Sequence, residues 1–318
     1  MQPLTYGLMG SALLLLSIAV GVGRVLKQQP GTGLDPAQVE QFNARIHAWW
    51  LMCAVLAATC ATSNTAVHIF FGVLSFWSLR EFITLTPTRV ADHRTLFWVF
   101  FLITPAQYVL VALSDSPRWG VLAFETFSVM IPVYGFLFVP ARIALAGDYK
   151  RYLERCAKIQ AGMMICVYCL SHATALLELE LHGTANNQAL LFFFCLVTVL
   201  GDAFGFLFEK LWGKHPIVPS INPNKSWEGV MSGIASATLL GTAMFWVTPF
   251  TVWQTALISC VIATVGFTGG LTMSAIKRDR GVKDYGTLVE GHWGVLDRID
   301  SICFAAPIFY HFTRLVTE

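Results

Sequence analysis

What constrains this chain most is the recurrence of apolar runs close to the ~20 residues that carry a helix across the hydrocarbon of a bilayer. No water is available there to satisfy backbone N–H and C=O groups, so each run must close its own hydrogen bonds as a helix. Runs of this kind are read near residues 4–23, 48–62, 64–85, 95–113, 120–140, 159–177, 186–208, 229–249, 252–273 and 300–316. Of the 318 residues 55% are hydrophobic and only 13% charged, and the mean hydropathy is +0.61. That leaves no stretch for a soluble domain of any size. The expected fold is all-α, a polytopic integral membrane protein of about ten transmembrane helices. Nine to eleven are compatible with the tight hairpin that Ser63-Asn64 imposes on the second and third spans.

Lysine and arginine test this count, because they accumulate on the cytoplasmic side of a membrane. Under a ten-span arrangement nineteen of the twenty-one fall in loops that share one side, and only Arg118 and Arg314 lie on the other. Both termini are then expected outside the cytoplasm. The first run lacks a basic leader, is followed by Arg24 and Lys27, and reads as a retained anchor. Most of the eight cysteines lie in apolar runs and read as packing residues, Cys166-x-x-Cys169 included. Net charge of +2 says little by itself, and no nucleic-acid partner is expected.

Against this background residues 274–300 stand apart, with ten charged side chains between two apolar runs. Asp297 and Asp300 are three apart at the head of an apolar run, so on a helix they face the same way. Two carboxylates aimed at one spot suit a hard cation such as magnesium, which prefers oxygen ligands and keeps waters that phosphates can displace. Asp284 is the natural third ligand. Lys277, Arg278, Lys283 and Arg298 would hold phosphate oxygens, arginine through its planar fork and lysine as a point charge. The bland alternative is a solvated loop whose charges only orient the protein. A second polar stretch, residues 201–229, opens with Asp202 inside an apolar run, where an acid is costly and by default a functional candidate. Glu228 divides evenly between a functional group and a charge complementing the dipole of the next helix. Arg80-Glu81, at the end of the third span, reads as a packed ion pair outside the site.

The charged segment, Ser274-x-x-Lys277-Arg278-x4-Lys283-Asp284-x-Gly286 followed by His292-Trp293-Gly294-x-x-Asp297-Arg298-x-Asp300, resembles the signature of the phosphatidate cytidylyltransferases (CDP-diacylglycerol synthases). It departs from that pattern at Val289, Glu290 and Trp293, none of which removes a charged group. Gly201-Asp202 and the run Asn222-Pro223-Asn224-Lys225-Ser226-Trp227-Glu228-Gly229 resemble a second family segment, with Asn222 in place of serine and Ser226 in place of threonine. The resemblance is dense over residues 200–310 and thin before them.

What the resemblance implies is transfer of a cytidylyl group from CTP to phosphatidate, giving CDP-diacylglycerol and pyrophosphate. Catalysis would fall to Asp284, Asp297, Asp300 and Lys283, with one or two cations, magnesium first, held by Asp284, Asp297, Asp300 and Asp202. Substrate would be bound by Lys225, Ser274, Lys277, Arg278, His292, Arg298, Asn222 and Ser226. His292 is assigned to binding or orientation, since a phosphate nucleophile is already an anion and needs no strong base. Residues 1–190 are expected to form scaffold and lipid-cavity helices, and residues 191–318 a catalytic region with two cytoplasmic loops, 209–228 and 273–299. Partners would be CTP, phosphatidate and membrane lipid, with a homodimer left open, in an inner membrane with the site at its cytoplasmic face. Competing readings are a related nucleotidyltransferase acting on another lipid phosphate and a transporter-like protein. A CDP-alcohol phosphotransferase is disfavoured because its D-G-x-x-A-R motif is missing.

Overall fold

The computed structural model describes residues 7, 10, 17, 50–85, 88–181, 186–282 and 294–317. Within them the chain is a bundle of helices: α1 (Trp50–Thr62), α2 (Asn64–Thr84), α3 (Val90–Leu113), α4 (Gly120–Ala144), α5 (Tyr152–Glu178), α6 (Asn187–Trp212), α7 (Trp227–Ala243), α8 (Val252–Asp279) and α9 (Leu296–Thr317). Of these α2 to α6 and α8 are long and apolar enough to cross a bilayer. The all-α membrane architecture read from the apolar runs is therefore the observed one.

Which helix lies at the centre is dictated by its sequence. A helix that is apolar on every side belongs inside, and α6 opens with Ala189–Val199, eleven consecutive residues that are all buried. Helices α3 and α4 instead turn Phe97, Phe101, Val109, Val121 and Leu137 outward, as lipid-facing helices do. Lipid tails are as apolar as leucine, so helices in this setting associate through close packing and hydrogen bonds. Small residues allow that at the α6–α7 contact, where Gly201 and Gly205 face Gly229 and Gly233. A Cβ added at Gly233 would come 2.8 Å from the Gly205 Cα and 2.9 Å from the Gly201 carbonyl oxygen.

Prolines within the spans leave carbonyls that must find donors. Pro132 of α4 has no N–H to return to the preceding turn. The Tyr168 hydroxyl donates to the Ser128 oxygen at 3.1 Å instead, and the Gln107 amide to the Phe127 oxygen at 3.4 Å. Pro140 frees the Phe136 oxygen in the same way, and Gln160 of α5 donates to it at 2.8 Å. The helix widens to π geometry over Met130–Gly135 and over the facing Met164–Cys169.

Several boundaries differ from the sequence-based expectation. α7 ends at Ala243 rather than near 249, because Pro249 forces Thr248 into an extended conformation and a short 3-10 turn intervenes. α8 continues past 273 to Asp279, its last turn carrying Lys277 and Arg278 where cations complement the helix dipole. Ser274, Lys277 and Arg278 are thus helical, not part of a loop. The expected loop 209–228 also contains a small antiparallel hairpin, β1 (Pro216–Val218) and β2 (Asn222–Ser226). The first expected span lies outside the described residues apart from Gly7, Gly10 and Ser17.

Candidate active site at one end of the bundle

The C-terminal end of α6, the hairpin, the end of α8 and the start of α9 meet at one end of the molecule, and each brings charge. Lys277 of α8 reaches Asp297 in the first turn of α9, with Nζ 2.6 Å from Oδ1 and both side chains largely buried. One turn further along α9, the Asp300 carboxyl feels the charges of Asp202, Asp297 and Lys277, so the acid of α6 and the acids of α9 share one locale. Asp300 accepts the Ser301 N–H at 2.8 Å. It lies across from Gly270 of α8, where an added Cβ would be 3.7 Å from its Oδ2.

The hairpin adds cations to the same end. Lys225 Nζ is 2.8 Å from Oε1 of Glu209, a nearly buried acid on the last turns of α6. Arg278 Nε donates to the Ile221 carbonyl at 3.0 Å, tying the end of α8 to the hairpin turn. Ser226, itself buried, caps α7 by accepting the Gly229 N–H at 3.2 Å. Asn222 accepts the Asn224 N–H at 3.3 Å and shapes the turn that presents Lys225. Ser274 donates to the Gly270 carbonyl of its own helix at 2.8 Å, leaving its oxygen as an acceptor. Arg298 is half-buried in the first turn of α9.

Glu228, in the first turn of α7, is engaged by the entrance of the hairpin. It accepts the backbone N–H groups of Lys214 and His215 at 3.2 Å each and also pairs with the His215 ring, which fastens the entrance of the hairpin to α7. Arg80 and Glu81 part company rather than pairing. Arg80 is exposed over the Trp77 ring, 5.5 Å from its centroid. Glu81 is buried and accepts the N–H groups of Val295 at 3.0 Å and Leu296 at 2.8 Å.

Oxygen donors of this kind match a hard divalent cation in chemistry. Among the described residues, no three His, Cys, Asp or Glu side chains come close enough together to hold a metal ion, and Asp297 is engaged by Lys277. Asp284, Lys283 and His292 lie outside the described residues. A cavity of about 350 Å³ opens elsewhere, bordered by Ser114, Glu178, Tyr310, Arg314 and Thr317. Among the described residues, none of Asp202, Asp297 and Asp300 borders it.

Glu81 and Glu209 were not foreseen as parts of this region. Each is an acid near the end of an apolar run, which is the one signal the sequence offers. Their partners lie on other elements, 214 and 215 residues away in the case of Glu81.

A profile of the cytidylyltransferase family matches residues 43–316. The chain belongs to the cytidylyltransferase family. It is accordingly a membrane-embedded enzyme of the nucleotidyltransferase class. Over nearly its whole length it is similar to YnbB, an uncharacterised protein of Escherichia coli, with 34% identity across 86% of this chain and 88% of the relative. Similarity to phosphatidate cytidylyltransferases is more local. The chloroplastic enzyme 5 of Arabidopsis thaliana is 39% identical over 43% of this chain and 34% of its own length. The Mycobacterium leprae enzyme is 39% identical over 39% of this chain and 40% of its own. The chain thus matches well under half the length of either enzyme.

Proposed function

We propose that the protein transfers a cytidylyl group from CTP to phosphatidate at the inner face of a membrane. A phosphatidate oxygen attacks the α-phosphorus of CTP; a new P–O bond forms, the bond to the β-phosphate oxygen breaks, and pyrophosphate leaves. The observation that carries this reading is the Lys277–Asp297 pair at the head of α9, with Asp300 one turn further on, beside the hairpin that carries Lys225. Two anions must approach each other, so cations must bring them together. Lys225, Lys277, Arg278, Lys283 and Arg298 would neutralise phosphate oxygens, and His292 would orient one. Asn222 and Ser226 shape the loop that presents Lys225, and Ser274 would offer its hydroxyl to substrate. Asp202, Asp284, Asp297 and Asp300 would hold magnesium, and a second cation if one is used. Such an ion would supply charge neutralisation on the transferring phosphoryl group and a template for the triphosphate. No residue need act as a strong base, because the nucleophile is already ionised.

A second acceptor keeps a place beside phosphatidate. Similarity to enzymes named for phosphatidate covers 39% to 43% of the chain, so the helices expected to receive acyl chains need not be shared with them. Purified protein supplied with labelled CTP, magnesium and a panel of lipid phosphates distinguishes these readings by which lipid becomes nucleotide-linked. Asp297→Asn and Asp300→Asn are each expected to abolish magnesium-dependent pyrophosphate release while the protein still inserts. Full activity in either would refute the assignment.

A further inference from the structure

We infer that Glu81, on a helix from the half of the chain assigned to scaffold, is a positioning residue for the reacting end of α9. The first N–H groups of any helix lack intrahelical partners and carry the positive end of its dipole. In α9 these groups are taken by a carboxylate from α2. Glu81 Oε1 accepts from Val295 N at 3.0 Å and Oε2 from Leu296 N at 2.8 Å, and the Trp77 indole donates to Oε1 at 3.2 Å. Three donors surround a side chain only 9% exposed. Removing a carboxylate from water is costly unless it is hydrogen-bonded in this way, and such charge-assisted bonds are roughly twice as strong as neutral ones.

The placement matters because the proposed metal ligands sit immediately beyond it. Asp297 is the next residue after Leu296, and Asp300 lies one turn on. Both carboxylates therefore take their height and rotation from where the helix begins, and Glu81 sets that point from outside α9. Lys277 also holds this turn, through the side chain of Asp297. That contact holds a side chain, whereas the carboxylate of α2 holds backbone N–H groups. This inference rests on the proposed reading for the chemistry of Asp297 and Asp300, but the contact itself does not.

Glu81→Gln keeps the shape and removes one acceptor and the charge; Glu81→Asp keeps the charge on a shorter arm; Arg80→Ala, at the exposed neighbour, serves as control. Turnover per folded molecule is expected to fall about 10- to 100-fold in Glu81→Gln, the range in which a small misplacement of reacting groups acts. The KM for CTP should stay within about twofold, as expected when an interaction matters mainly in the transition state. Half-saturation by magnesium should move to higher concentration, Glu81→Asp should recover part of the loss, and Arg80→Ala should behave as wild type. A variant that merely loses folded protein would lower the amount of active enzyme without moving the magnesium dependence. Hydrogen exchange followed by mass spectrometry, on the metal-free protein in detergent, supplies the second readout. Amides of 294–300 should exchange faster in Glu81→Gln, with those of α7 unchanged. Wild-type turnover, an unmoved magnesium curve or unchanged exchange at 294–300 would each overturn the inference. Should wild-type protein turn over CTP with no lipid phosphate at all, the proposed reaction fails, while the exchange measurement still decides whether Glu81 anchors α9.

Discussion

Lysine and aspartate at 2.6 Å, both mostly withdrawn from water, hold each other in a state that neither could keep alone. A buried pair gains little net stability, but removing one member leaves the other charged and unpaired. On the proposed reading, Lys277 and Asp297 would neutralise one another until phosphate and metal took their places. A different logic governs Asp148, in the turn between α4 and α5. Partial burial works against its charge, but the Lys150 N–H and the guanidinium of Arg89, 2.5 Å away, outweigh it and hold its carboxyl below the usual value of 3.8. A depressed carboxylate stabilises the fold above its unfolded pKa and loses that contribution as pH falls through the folded one. Asp148→Asn should therefore lower the midpoint of denaturation, followed by tryptophan fluorescence, by a constant amount between about pH 7 and pH 5. The gap should close as pH falls below 3.8. A gap independent of pH throughout would show that the Asp148 charge does not matter. The acids and cations of the signature could be named from the sequence because their spacing is local. Glu81 and Glu209 could not, since an acid at the end of an apolar run gives no hint of which distant backbone or lysine it will meet.

At the scale of elements, the apolar runs foretold helices because a bilayer allows an isolated backbone little else. Their ends were less legible. Ser274 to Asp279 read as loop by charge alone, yet they prolong α8, where Lys277 and Arg278 suit a helix C-terminus. The hairpin was hidden for the opposite reason: Asn222-Pro223-Asn224 carries turn signals strong enough to mask two short strands. Packing of α6 on α7 was likewise unread, although Gly201-x3-Gly205 and Gly229-x3-Gly233 are visible in the chain. Their meeting puts backbone against backbone, and no flexible side chain can yield to a new atom there. Gly233→Ala, whose Cβ would stand 2.8 Å from the Gly205 Cα, should cost about 1–3 kcal/mol, as overpacking does. Since α6 and α7 carry Asp202, Glu209 and the hairpin junction, activity should fall with it. Thermal unfolding in detergent checks the first effect; an unchanged midpoint would mean that the two helices can separate freely at this point.

For the molecule as a whole, the bundle sorts charge by end. Glu81 near the end of α2 meets the start of α9, and the Arg155–Asp92 pair links the starts of α5 and α3. The Arg280–Glu154 contact, at 3.7 Å, joins the end of α8 to the start of α5. At the far end Ser114, Glu178 and Thr317 border one cavity. Helices thus alternate in direction, and among the described residues every lysine and arginine except Arg118 and Arg314 falls at or toward the end that holds the site. Positive charge accumulates on the side that is not translocated, so the proposed reading, with CTP reaching the site end from the cytoplasm, makes a claim about sidedness that can be tested. Sidedness can be read directly with a membrane-impermeant maleimide. Asn224→Cys, at the exposed tip of the hairpin, should label in inverted vesicles and stay protected in right-side-out ones. Asp115→Cys, in the exposed turn between α3 and α4, should do the reverse, with the wild-type chain and its largely buried cysteines as background. CTP added outside should support turnover only in the inverted preparation. Labelling of Asn224→Cys from the outer face would place the triphosphate site where its substrate is absent, and the orientation inferred from charge would have to be abandoned.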